Sequence, residues 1–162
     1  RNAKLLNMNL AANGMSARVT VFAKAAGGTD GEARLFLHPR NKGAHALDTQ
    51  PSADTVKSML VTVTRLDTAL RALNLRPEEI GLIWIDVEGA EYEAVRGLGD
   101  LVGKVPLAIE YAPEHLRSSN AELRKILEQH YPRLHRLGTE SRGEEPIANL
   151  AKVSGMTDIL FY

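Results

Sequence analysis

Leu82-Ile83-Trp84-Ile85-Asp86-Val87-Glu88-Gly89-Ala90-Glu91 is the stretch whose reading decides the fold. An apolar run from Leu82 to Ile85 stops abruptly at Asp86, and two further acids, Glu88 and Glu91, stand around Gly89. A short apolar run between Gly81 and Gly89 fits a strand buried on both faces. The residues from Ala90 to Val102 follow a helical pattern. A strand that feeds a helix through an acidic turn sets carboxylates at the C-terminal end of a sheet strand, where open α/β sheets bind their ligands.

Working outward, Leu5, Leu6, Met8, Leu10 and Ala12 predict a short helix ended by Asn13-Gly14. Val19 to Lys24 reads as a strand, Gly27-Gly28-Thr29-Asp30-Gly31 as a flexible turn, and Ala33 to Leu37 as a second strand paired with the first. From His38 to Thr55 the pattern dissolves into a long loop. Val56 to Thr64 is β-rich, and Asp67 is placed to cap a helix from Thr68 to Leu75. Val105 to Tyr111 is a further buried strand. A helix capped by Ser119 or Asn120 carries Leu123, Ile126, Leu127, His130 and Tyr131 on one face. Leu134 to Gly138 and Asp158 to Tyr162 are closing strands, with an exposed polar stretch from Thr139 to Ile147 between them. The alternation predicts one α/β domain over residues 1–162, with a mostly parallel sheet and helices on both faces.

The 162 residues carry 20 Lys plus Arg against 20 Asp plus Glu, so the net charge is zero. The basic residues are dispersed and only eight aromatics are present, 3 Phe, 1 Trp and 4 Tyr. Charge and composition therefore argue against nucleic-acid binding and against a charged membrane surface. Cysteine is absent, which excludes disulfides, thiolate metal sites and a cysteine nucleophile. No transmembrane run and no signal-peptide stretch is visible, so a cytoplasmic location is expected. No zinc spacing occurs, and the glycines at 27, 28 and 31 do not form a dinucleotide fingerprint. No resident metal is expected, although Asp86 with Glu88 could offer two oxygens to Mg²⁺.

The string Ile85-Asp-Val-Glu-Gly-Ala-Glu-Tyr-Glu93 resembles the signature of the FkbM-type methyltransferases. Other pieces fall in that family's order: Asn13-Gly14 before Val19-Thr-Val-Phe22, the Ala25-Ala26-Gly27 strand end, Asn41-Lys-Gly43, Arg65-Leu-Asp67 and Leu107-Ala-Ile-Glu110. The resemblance implies a Rossmann-like class I methyltransferase sheet with an antiparallel C-terminal edge. It implies that this chain is the C-terminal two-thirds of such a domain, with the first two strands and the Gly-rich loop lying before Arg1. The sheet edge beside the signature strand would then be open, to be covered by a further segment or paired with another copy in a homo-oligomer. The chain by itself would bind the cofactor weakly or not at all.

The implied cofactor is S-adenosylmethionine, and the implied reaction is O-methylation of a hydroxyl on a sugar or secondary metabolite. Asp86 would face the donor's sulfonium end and orient the reacting groups, with Glu88 assisting or acting as base. Alternatively Asp86 satisfies backbone N–H groups in the turn. Ala25 and Ala26 would pack beside the adenine, or serve as plain filler, and Asn41, Gly43, His45 and Glu110 would line the acceptor pocket, with a capping or ion-pair role the alternative for Glu110. Glu91, in the first turn of a helix, reads as a structural acid that suits the helix dipole. Gly89 is expected to supply a backbone conformation or a close approach that a side chain would block. The competing reading is a non-catalytic interaction module that keeps the sheet without a complete cofactor site.

Overall fold

The computed structural model describes residues 2–37, 57–87, 89–116, 119–138 and 143–162. The apolar run after Gly81 forms strand β4 (Ile83–Ile85), and the following helical pattern forms α3 (Glu91–Arg96). α3 is shorter than the expected span to Val102. Gly97 and Gly99 stop it, and a single 3₁₀ turn at Gly99–Leu101 follows. The chain then enters β5 (Leu107–Tyr111), which lies parallel to β4 with Ile83, Trp84 and Ile85 opposite Leu107, Ala108 and Ile109.

After β5 come a short helix α4 (Pro113–Leu116) and the amphipathic α5 (Asn120–His130). Three strands close the fold: β6 (Arg133–Arg136), β7 (Glu144–Pro146) and β8 (Thr157–Phe161). Their order in the five-stranded sheet is β4-β5-β8-β6-β7. β8 slots between β5 and β6 and runs antiparallel to both, which bears out the antiparallel C-terminal edge.

A second sheet is built from β1 (Ala25–Ala26), β2 (Gly31–Leu37) and β3 (Lys57–Thr64) in the order β1-β3-β2. β2 pairs antiparallel with β3 along seven residues, from Gly31 opposite Val63 to Leu37 opposite Lys57. The expected pairing of Ala33 to Leu37 with the preceding strand does not form, because the long β3 ladder takes β2 instead. Nor do residues 19–24 form a strand. Val19 and Phe22 are exposed, and among the described residues only Ala25 and Ala26 reach a partner, lying parallel to Val63 and Thr64.

The expectation of a mostly parallel sheet is also corrected. Only β1–β3 and β4–β5 are parallel among the described pairings, while β2–β3, β5–β8, β6–β7 and β6–β8 are antiparallel. The helical crossover through α3 enforces the parallel β4–β5 pair. The other strands return by shorter routes or slot in reversed.

Alternation of side chains across the strands separates the two faces of the five-stranded sheet. One face carries Ile83, Ile85, Leu107, Ile109, Tyr111, Phe161, Ile159 and Leu134. It packs against Ala94 and Val95 of α3, Leu98 just after it, and Leu123 and Leu127 of α5 to form the core. The opposite face presents Trp84, Glu110, Asp158, Leu160 and His135, and Trp84 is 55% exposed. Among the described residues the clustered core lies on the first face, and the opposite face, although Ala108 there is fully buried, does not carry the second apolar layer expected. α1 (Asn2–Ala12) contributes no buried residue, and Leu5, Leu6 and Met8 are exposed.

Local stops agree with the chemistry of the sequence. α1 ends in a Schellman arrangement, with Met15 N–H donating to the Leu10 carbonyl at 2.8 Å, Gly14 N–H to that of Ala11 at 3.2 Å, and Gly14 at φ 67°. The stretch expected to be polar and exposed after β6 contains β7 instead. There the Glu145 carboxylate is buried with Arg136, Nε to Oε1 3.2 Å, and accepts from Asn149 Nδ2 at 3.0 Å. A buried charge persists when it is paired in this way.

Candidate functional site

Asp86 follows the last residue of β4 and is exposed. Its neighbour across the parallel pair, after Ile85 opposite Ile109, is Glu110 near the end of β5. Two of the expected site residues are thus brought to the same C-terminal edge of adjacent strands. Glu110 is half-buried, stands opposite Asp158 of β8, and takes part in a side-chain interaction of its own.

Between β4 and α3 the chain makes a tight turn. Ala90 N–H donates to the Val87 carbonyl at 3.3 Å, and Gly89 between them sits at φ 92°. That left-handed value bears out the conformational role expected of this glycine, since side chains rarely adopt it. Glu91 is buried, only 3% exposed, and its Oε1 accepts the Gly89 N–H at 3.0 Å. The sequence pattern pointed to a structural acid suited to the helix dipole; it did not show that this carboxylate turns inward.

Ala25 and Ala26 form β1 in the other sheet, and both are half-buried. Ala26 packs against the core cluster that contains Ile85. Gly27 and Gly28 follow and are buried. Gly27 lies so close to β3 that an added Cβ would come within 2.5 Å of Val63 Cγ1. Glu88, Asn41, Gly43 and His45 lie outside the described residues.

A polar network missed in the sequence ties the β1–β2 turn to α2 (Leu66–Ala72). Asp30 Oδ1 accepts from Thr64 Oγ1 and from the Arg65 N–H, both at 2.9 Å, and Oδ2 accepts from Thr68 Oγ1 at 3.0 Å. Arg65 donates to both carboxylate oxygens of Asp67 at 2.9 and 2.8 Å and to the Gly28 carbonyl at 3.0 Å. Asp67 is therefore no helix cap: the N-cap is Arg65, without a side-chain cap bond. The Arg65 guanidinium beside Asp67, helped by Arg71, holds that carboxyl below its ordinary range. The Arg65 backbone N–H, then the Thr64 hydroxyl, do the same for Asp30. Asp30 before Gly31 was the available signal, because such an Asp often bonds backbone ahead of it. The 35-residue reach to Arg65 left no trace in the pattern.

At the start of α5, Ser119 is the N-cap, but its hydroxyl donates to the Leu116 carbonyl at 2.7 Å and makes no cap bond. Asn120 Oδ1 instead accepts from the Tyr111 hydroxyl at 2.6 Å, and burial pushes that phenol up from its ordinary value.

The arrangement can place carboxylate charge at an open strand edge, beside a turn held in one conformation. That suits a cationic reacting centre or an acceptor that must lose a proton. Among the described residues no three histidines or acids cluster as a metal site, and no helix is long and apolar enough to cross a membrane. The sequence profile of the Methyltransferase FkbM domain matches residues 1–134. No curated protein and no solved structure matches the chain.

Proposed function

The chain belongs to the FkbM methyltransferase domain family, and from that premise we propose that it transfers a methyl group from S-adenosylmethionine to an oxygen acceptor, a hydroxyl of a sugar or secondary metabolite. The observation that carries this reading is the exposed carboxylate of Asp86 at the C-terminal tip of β4, beside the Glu110 strand end. Carboxylates at that edge fit a donor whose reacting sulfur is a cation. Small, half-buried Ala25 and Ala26 leave space for a flat ring.

S-adenosylmethionine, when bound, supplies a methyl group already activated by its positive sulfur. Asp86 orients the acceptor hydroxyl in line with that carbon, which removes much of the entropic barrier. An acceptor hydroxyl taking that methyl group would have to give its proton to a carboxylate at this edge. Asp86 would orient the reacting groups, with Glu88 assisting or acting as the base that passes the proton on to water. Glu110, with Asn41, Gly43 and His45, borders the acceptor side.

A thermal-shift titration of the full-length protein with S-adenosylhomocysteine tests the reading. At 100 times the dissociation constant the ligand should stabilise the fold by about 2.7 kcal/mol. No shift at any concentration would remove the enzyme reading.

One observation favours a second reading. The outer edge of β4 has no strand partner among the described residues, and Leu82 and Trp84 beside it are exposed. An interaction module would use such an edge. It predicts concentration-dependent association in sedimentation velocity and no response to S-adenosylhomocysteine.

A further inference from the structure

Glu91 stands where an exposed acid would serve α3 equally well. The helix dipole stabilises a carboxylate in the first turn without burial. Burying a carboxylate costs free energy that an apolar side chain at the same position would not incur. Yet Glu91 is 3% exposed and aims Oε1 back at the Gly89 N–H. What this burial secures is the turn. Gly89 at φ 92° and the Ala90 N–H to Val87 carbonyl bond mark the turn, and the Glu91 carboxylate holds the Gly89 amide. Asp86 enters directly before this turn, and Val87 is packed against the core.

We propose that Glu91 is a positioning residue of the methyl-transfer site: by accepting the Gly89 N–H from inside the fold, it sets the turn that holds Asp86 toward the donor's cationic sulfur. The proposal rests on the methyltransferase reading. Glu91 touches neither donor nor acceptor and acts only through the turn.

The test compares S-adenosylmethionine with S-adenosylhomocysteine, which lacks the sulfonium charge, by calorimetry on the full-length protein. It also measures hydrogen exchange of the Gly89 amide. A carboxylate about 4 Å from the sulfonium should favour the charged ligand by about fivefold. Asp86→Ala should abolish that preference. Glu91→Gln, which keeps an acceptor oxygen, should retain both the preference and the slow exchange. Glu91→Met fills the same volume without an acceptor. It should bind both ligands, lose the preference and expose the Gly89 amide to fast exchange. Glu91→Ala should behave alike if it folds, and Glu91→Met decides the matter if it does not.

A wild-type preference retained in Glu91→Met overturns the proposal, as does unchanged Gly89 exchange. Equal affinity of the wild type for the two ligands also overturns it, by removing Asp86 from the sulfonium. Binding of neither ligand by the wild type overturns the methyltransferase reading itself and this role with it. The Gly89 exchange would then still report whether the turn bond exists.

Discussion

Gly97, the C-cap of α3, lies directly over the carbonyl of Gly27, close enough that a Cβ on Gly97 would collide with that oxygen. The same Gly97 accepts the Asp67 N–H on its carbonyl at 2.9 Å. Three segments distant in sequence meet at this point: the end of β1, the start of α2 and the end of the signature helix. The contact holds Ala25 and Ala26 in place relative to the helix that follows Asp86.

Gly97→Ala should therefore destabilise the protein by roughly 2 kcal/mol or more, because the obstructing atom is backbone and cannot move aside as a side chain would. Urea unfolding measures it. A change within 0.5 kcal/mol, about the size of an ordinary surface substitution, would mean the two segments are not in contact.

Asp67→Asn should cost about 1–2 kcal/mol near neutral pH, discounted for the partial exposure of Arg65. The sign of its pH dependence follows from the depressed carboxyl. Folding stabilises the ionised form, so the contribution is fully present above the ordinary value of 3.8 and is lost as pH falls through the lower folded value. The difference in Tm between wild type and Asp67→Asn should be constant from about pH 7 to 5 and shrink below that ordinary value. A difference that grows on acidification contradicts the ion pair.

Asp86→Ala should leave stability within about 0.5 kcal/mol, since the side chain is exposed. Methyl transfer by the full-length protein should fall by about 10²- to 10⁴-fold, the range for losing a positioned acid or base. Equal turnover in the two proteins would take Asp86 out of the chemistry.

Trp84→Thr offers a check on the one-sided sheet. Trp84 faces away from the core, so the replacement should change stability by no more than about 0.5 kcal/mol. A loss of several kcal/mol would show that this face is covered.

Tyr131→Phe should cost about 1 kcal/mol, because the hydroxyl donates to the buried Val105 carbonyl at 3.0 Å. Burial raises this phenol above its ordinary value of 10.0, so its contribution is present below that pH and lost as pH rises through the higher folded value. A variant as stable as wild type in urea would mean that water serves the carbonyl equally well.

Much of the site and the fold was legible because it depends on neighbours in the chain. The abrupt end of an apolar run at Asp86, the left-handed Gly89, the Asn13-Gly14 stop and the stripe of Leu123, Leu127 and Tyr131 are local patterns of period and turn chemistry. The sequence by itself settled those, and with them the family. It could not settle which strand β2 would choose, that residues 19–24 would stay unpaired, or that Glu145 and Glu91 would turn inward. A hydrophobic period reports which face is buried, not against what. A carboxylate is recruited to the interior by a donor that arrives from elsewhere in the fold, as Arg136 does for Glu145, or from a turn whose amide happens to point inward, as Gly89 does for Glu91. Those partners exist only once the chain has closed on itself, so tertiary structure alone decided them.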